Sequence, residues 1–130
     1  MSKIELVKEF HEKYNQLVND KITLIDYKTA ILRVSLIQEE FNEYKDALKR
    51  KDLVGVIDAL IDLEYVVLGT MVSHGFNANT HSFLFDVVHN SNMTKDNNKD
   101  KNGKIVKGNN YVEPEPIIKA FLAVLKNRKV

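Results

Sequence analysis

Five acidic side chains fall at spacings that let them act together. Glu39, Glu40 and Glu43 stand at i, i+1 and i+4, so on a helix Glu39 and Glu43 share a face and Glu40 flanks it. Asp58 and Asp62 are four residues apart inside the most apolar segment of the chain. A turn near residues 50 to 52 would fold the two stretches antiparallel. Both acidic sets then lie about ten residues from the turn, which at helical rise is about 15 Å back along either helix. Crowded carboxylates removed from water cost several kcal/mol apiece or take up protons, so such a group calls for basic partners or cations. Lys45, Lys49 and Arg50 lie near the turn, which leaves Arg33 as the base on the far side. An all-oxygen ligand set suits a hard divalent ion, Mg²⁺ or Mn²⁺.

The elements that must position these groups are helices. Ser2 with Glu5 forms a capping box, and apolar residues from Ile4 to Val18 at helical spacing predict a helix over 3–19. Asp26 caps a second helix ending near Arg50-Lys51, and Asp52 caps a third that ends before Gly75. Shorter helices are expected over 80–89 and 115–127. The whole is an all-α antiparallel bundle of four to five helices, a single domain over 1–130 with a loop at 91–113. Apolar residues cover more than one face of the third helix, which predicts a subunit interface and a homodimer or homotetramer. Its stretch from Leu53 to Val72 has the length of a membrane span, yet Asp58, Asp62 and Glu64 would each cost about 3 kcal/mol in a bilayer. No membrane partner is expected.

The 130 residues contain no cysteine, which excludes disulfides, thiolate catalysis and Cys-based metal sites and fits a reducing compartment. No apolar leader segment follows Met1, so the expected location is cytoplasmic. Residues 1–90 carry 10 basic and 14 acidic side chains, residues 91–130 carry 9 and 4. The basic excess begins in Ser91–Asn110, where six Asn, five Lys and two Gly compose a loop of unusual length, either disordered or ordered by substrate. Asn92, Lys95, Lys104 and Lys107 there carry amide and ammonium donors suited to an anionic ligand. Asp96, Asp100, Glu113 and Glu115 interrupt the positive charge and argue against nucleic acid as a partner. Gly103-Lys104 lacks the spacing and the following Ser or Thr of a Walker loop. His11, in a charged helix, is expected at the surface.

The order of motifs resembles a known group. Glu39-Glu40-x-x-Glu43 is followed by Asp58-x-x-x-Asp62-Leu63-x-Tyr65-Val66-Val67-x-Gly69. Then come Val88-His89-x-Ser91-Asn92-Met93-x-Lys95 and Gly103-Lys104-x-x-Lys107-Gly108-x-x-Tyr111. From about residue 25 to 116 the chain resembles the all-α nucleoside triphosphate pyrophosphohydrolases of the MazG-like, phosphoribosyl-ATP pyrophosphohydrolase-like group. The resemblance implies a helical dimer, or dimer of dimers, that uses Mg²⁺ to split a nucleotide substrate between its α and β phosphates. It implies Glu39, Glu40, Glu43 and Asp62 as metal ligands, with Glu39 or Glu40 as catalytic base. It also implies Asn92 and Lys107 toward the substrate, with Tyr111 either stacking there or packing against Pro114. The group's usual Glu-x-x-Asp is altered: Ala59 stands at the Glu position and Asp58 just before it, as a ligand or a supporting carboxylate. The alternative reading is a non-catalytic helical protein-interaction module whose acids are surface charge.

Overall fold

A computed structural model describes residues 1–127 and is all-helical, with no strand among them. Five helices follow in order, α1 (Lys3–Lys13), α2 (Tyr27–Lys49), α3 (Leu53–Ser73), α4 (Ala78–Asn92) and α5 (Glu115–Asn127). They form two compact units, Met1–Ala78 and the chain from Asn79 on.

In the first unit Ser2 and Glu5 cap α1 reciprocally, at 3.3 and 3.0 Å. This helix stops at Lys13, well short of the expected residue 19, because Asn15 turns to φ 55°. The Leu17 carbonyl beyond that break accepts from His11 Nδ1–H at 3.0 Å and from Ser73 Oγ–H at 2.9 Å. Asn19 Nδ2–H donates to the Ser73 carbonyl at 2.8 Å. These polar groups bind α3 where a longer helix would have turned them on itself. Val18 still packs on the core of Ile4, Val7, Leu68 and Val72.

His11 is buried, contrary to the expectation from its charged neighbours. Positions 4, 7 and 11 form one helical stripe, and this stripe faces α3.

Helices α2 and α3 pack antiparallel across a short turn. Lys51 takes φ 55°, and Asp52 Oδ1 accepts from Gly55 N–H at 3.0 Å to start α3. Near the turn a Cβ on Gly55 would lie 3.2 Å from that of Ala47, so the helices nearly touch. At the far end Arg33 of α2 reaches Val66 and Thr70 of α3. The broad apolar surface of α3 is only partly covered: Leu53, Val54, Ile57 and Ile61 are each more than half exposed.

In the second unit α4 is longer than expected at both ends and includes Asn92. Phe83 of α4 stacks with Phe121 of α5, ring centroids 4.8 Å apart. The intervening segment is not structureless. Asp96 N–H donates to Val106 O at 3.1 Å, Val106 N–H to Asn98 O at 3.1 Å and Asp100 N–H to Lys104 O at 2.8 Å, a short irregular hairpin. Asp100 Oδ1 closes its tip by accepting from Asn102 and Lys104 N–H, and Gly103 takes φ 80° there. Asn, Asp and Gly, which gave this segment its loop composition, supply the turn geometry.

Candidate active site

The straight run of α2 and its antiparallel pairing with α3 assemble the acidic cluster. One carboxylate oxygen from each of Glu39, Glu40 and Glu43 lies within 4.8 Å of the other two. Glu40 is the innermost. Burial first, then a hydrogen bond and charge from Glu43, then the charges of Asp62 and Glu39, push its carboxyl up to about 7. Asp62 on α3 is raised by burial, by Asp58 and by Glu43. Thus Asp62 faces the glutamates, and Asp58, which is exposed, acts on Asp62.

Arg33, the one base on the far side from the turn, is not a counter-ion to the cluster. It is buried, its Nε–H donates to Thr70 Oγ1 at 3.1 Å and its Nη2–H to the Val66 carbonyl at 2.8 Å. Among the described residues no ion pair involves any of the five carboxylates. Glu40 Oε2 is buried and has no hydrogen-bond partner. A buried acceptor without a donor, inside a set of hard oxygen ligands that repel one another, fits a divalent cation.

The second unit holds the other expected residues. Asn92 ends α4, and its carbonyl accepts from Lys95 N–H at 3.1 Å. Lys104 lies at the hairpin tip, and Lys107 Nζ sits over the Tyr111 ring, 5.1 Å from its centroid. Tyr111 is therefore engaged by a lysine and by Ser91, whose Oγ lies 3.2 Å from its hydroxyl oxygen. Ser91 Oγ–H also donates to Val112 O at 2.6 Å, and Thr94 Oγ1 accepts from Val112 N–H at 2.8 Å, so the Ser91–Lys95 motif fastens the returning chain to the end of α4. Gly108 has no room for a side chain, because a Cβ there would collide with the Asp96 carboxylate. Ser91 and Gly108 are thus structural members of these motifs.

The family model for phosphoribosyl-ATP pyrophosphohydrolase matches residues 7–92, which takes in α2, α3 and both acidic motifs. The chain belongs to this family. Membership supports a nucleotide pyrophosphohydrolase activity, and the acid cluster agrees with the divalent-metal association typical of the family. No curated protein matches the chain. No helix among the described residues is long and apolar enough to cross a membrane.

Sequence reasoning missed Arg33 and His11 as a buried pair. The signal was available for His11 in its 4–7–11 spacing. For Arg33 there was none, because a lone arginine in an amphipathic helix reads as solvent-facing until the partner carbonyl of α3 is known.

Proposed function

We infer that the protein is a Mg²⁺-dependent hydrolase that splits a nucleoside triphosphate, or a related nucleotide, at the α–β phosphoanhydride into monophosphate and pyrophosphate. The observation that carries this reading is the glutamate triad on α2 with the partnerless Glu40 Oε2 at its centre. Glu39, Glu40, Glu43 and Asp62 would hold the metal, with Asp58 as a further ligand or a support for Asp62. Bound there, Mg²⁺ or Mn²⁺ supplies neutralisation of phosphate charge and acidification of water. A carboxylate of the cluster that is not fully committed to the metal, Glu39 or Glu40, would take the proton of the attacking water. The water oxygen bonds to phosphorus, the bridging P–O bond breaks and pyrophosphate leaves with its electron pair. In the second unit Asn92, Lys95, Lys104 and Lys107 offer donors to phosphate oxygens, and Tyr111 orients Lys107. A cytoplasmic location fits a chain without cysteine.

A homodimer or homotetramer belongs to the same reading. The exposed Leu53, Val54, Ile57 and Ile61 of α3, with Ile31 and Val34 of α2, are apolar surface that a second subunit would cover. Incubation with a panel of nucleoside triphosphates and Mg²⁺, scored for pyrophosphate and separately for orthophosphate, tests the activity. Pyrophosphate release that stops with chelator is expected. No turnover of any nucleotide with either metal would favour the interaction-module reading instead.

A further inference from the structure

Matched positions run along the α2–α3 pair at a common interval. Arg33, Glu40 and Ala47 are seven residues apart on α2, and Gly55, Asp62 and Gly69 are seven apart on α3. Seven residues are about two helical turns, or about 10 Å, so each set keeps to one face of its helix. A Cβ on Gly55 would lie 3.2 Å from that of Ala47, and one on Gly69 would lie 2.5 Å from Arg33 Nη2 and 3.4 Å from its Cζ. Glu40 and Asp62 meet between these points, where the charge of Asp62 acts on the Glu40 carboxyl. The acid pair thus stands midway between two close approaches of the helices. Glycine inside a helix is unfavourable, yet α3 carries one at each approach, where a side chain would meet α2.

The two approaches are fastened differently. At the turn the chain itself joins the helices, and Asp52 caps α3. At the far end the fastening is Arg33. Its Nη2–H donates to the Val66 carbonyl at 2.8 Å and its Nε–H to Thr70 Oγ1 at 3.1 Å, while Thr70 Oγ1–H donates to the same carbonyl at 2.8 Å. These bonds close a ring on one face of α3. A planar guanidinium held at two points fixes direction as well as distance. A slip of one residue between the helices would move the acceptors by about 1.5 Å and turn them by about 100°, which breaks both bonds to Arg33. Arg33 is 5% exposed and enters no ion pair among the described residues, so no carboxylate offsets its burial.

Between the two fastenings the helices carry like charge. Glu39, Glu40 and Glu43 place carboxylate oxygens within 4.8 Å of one another and face Asp62, and this repulsion drives α2 from α3. We propose that Arg33 is a positioning residue for the acid cluster: through Val66 and Thr70 it sets the register of α2 against α3 and so brings Glu40 and Asp62 to bear on one cation. It acts from two turns away. The role accounts for a buried arginine without a counter-ion, for the glycine opposite it, and for a threonine whose hydroxyl bonds back to the carbonyl four residues before. The proposal rests on the reading of the cluster as a metal site and is independent of which nucleotide is cleaved.

Titration of the intact protein with Mn²⁺, followed by electron paramagnetic resonance of the free ion, reads the site without turnover. Arg33→Met keeps an unbranched stem and removes the donors, and it should weaken Mn²⁺ binding by about 10- to 100-fold. Thr70→Val removes one corner of the ring and should weaken binding by less, whereas Thr70→Ser keeps the hydroxyl and should bind as wild type does. Val7→Ala, in the core between α1 and α3, lowers stability without touching these bonds and should leave Mn²⁺ affinity unchanged. All are compared at a temperature where circular dichroism shows each variant folded, so that the alanine variant separates positioning from a general loss of stability. A folded Arg33→Met that binds as tightly as wild type, or a Val7→Ala that weakens binding as much as Arg33→Met, overturns the proposal and leaves the hydrolase reading standing. Should Arg33→Met fail to fold, the threonine variants decide, and equal affinity in Thr70→Val and Thr70→Ser overturns the proposal. Mn²⁺ binding that depends on Arg33 in a protein that cleaves no nucleotide upholds the positioning role and overturns the hydrolase reading. No Mn²⁺ bound by wild type overturns both the metal site and the role of Arg33.

Discussion

Replacing Glu40 with Gln should make the metal-free protein more stable and the enzyme inactive. The folded-state carboxyl titrates at about 7 against an ordinary 4.5. Between these values the folded protein binds the proton more tightly than the unfolded chain does. Stability therefore falls as pH rises through this window and stays lower above it. The full difference is worth about 3 kcal/mol, and because water and counter-ions screen the charges of Glu39, Glu43 and Asp62, about 2 kcal/mol is expected. The amide keeps the shape of the side chain and carries no charge, so Glu40→Gln should recover that amount at pH 8 and almost none at pH 4.5. In a chain of this size the gain corresponds to about 8 °C in Tm. Thermal melts followed by circular dichroism in chelator, at pH 4.5, 6 and 8, measure it. Loss of the central carboxylate should also lower kcat about 100- to 1,000-fold with Mg²⁺ present. A variant no more stable than wild type at pH 8, or one whose gain is the same at pH 4.5, would refute the electrostatic account of the cluster.

Mg²⁺ should raise the wild-type Tm most at pH 8 and least at pH 5, because it must displace protons from Glu40 and Asp62 at the lower pH; melts at constant ionic strength test this, and a shift that shrinks toward pH 8 would count against carboxylate ligands. Asp62→Asn should abolish turnover. Asp58→Asn should match it if Asp58 is a ligand, and cost about 10- to 100-fold if it only supports Asp62; unchanged kcat/KM in Asp58→Asn would remove that residue from the site. Sedimentation equilibrium should show two or four times 15.0 kDa, with Tm falling on dilution, whereas a concentration-independent 15.0 kDa species with full activity would exclude the subunit interface on α3. Gly69→Ala should cost about 1 to 3 kcal/mol by displacing Arg33 and His11, measured by urea denaturation; a neutral result would mean that their close approach to α3 is not required.

The clustering of the candidate site's acids was legible because it depends on local spacing. Three glutamates at i, i+1 and i+4, caps at Asp26 and Asp52, and equal distances to the turn are properties of sequence once helical rise is known. These place Glu40 level with Asp62 without any knowledge of the core. The end of α1 was not legible, since Leu17 and Val18 continue the helical period while Asn15 at positive φ leaves the helix to satisfy His11 and Ser73. Nor was the hairpin of residues 96–106, whose Asn- and Lys-rich composition matches disorder as well as it matches turns. The placement of Arg33 could come only from the tertiary structure. A guanidinium goes to the interior when a carbonyl 33 residues away and a glycine 36 residues away make room and hydrogen bonds for it. Such pairings form across helices, at separations that no repeat along one helix encodes. Sequence thus determined which side chains each helix presents, and packing decided which of them lose water.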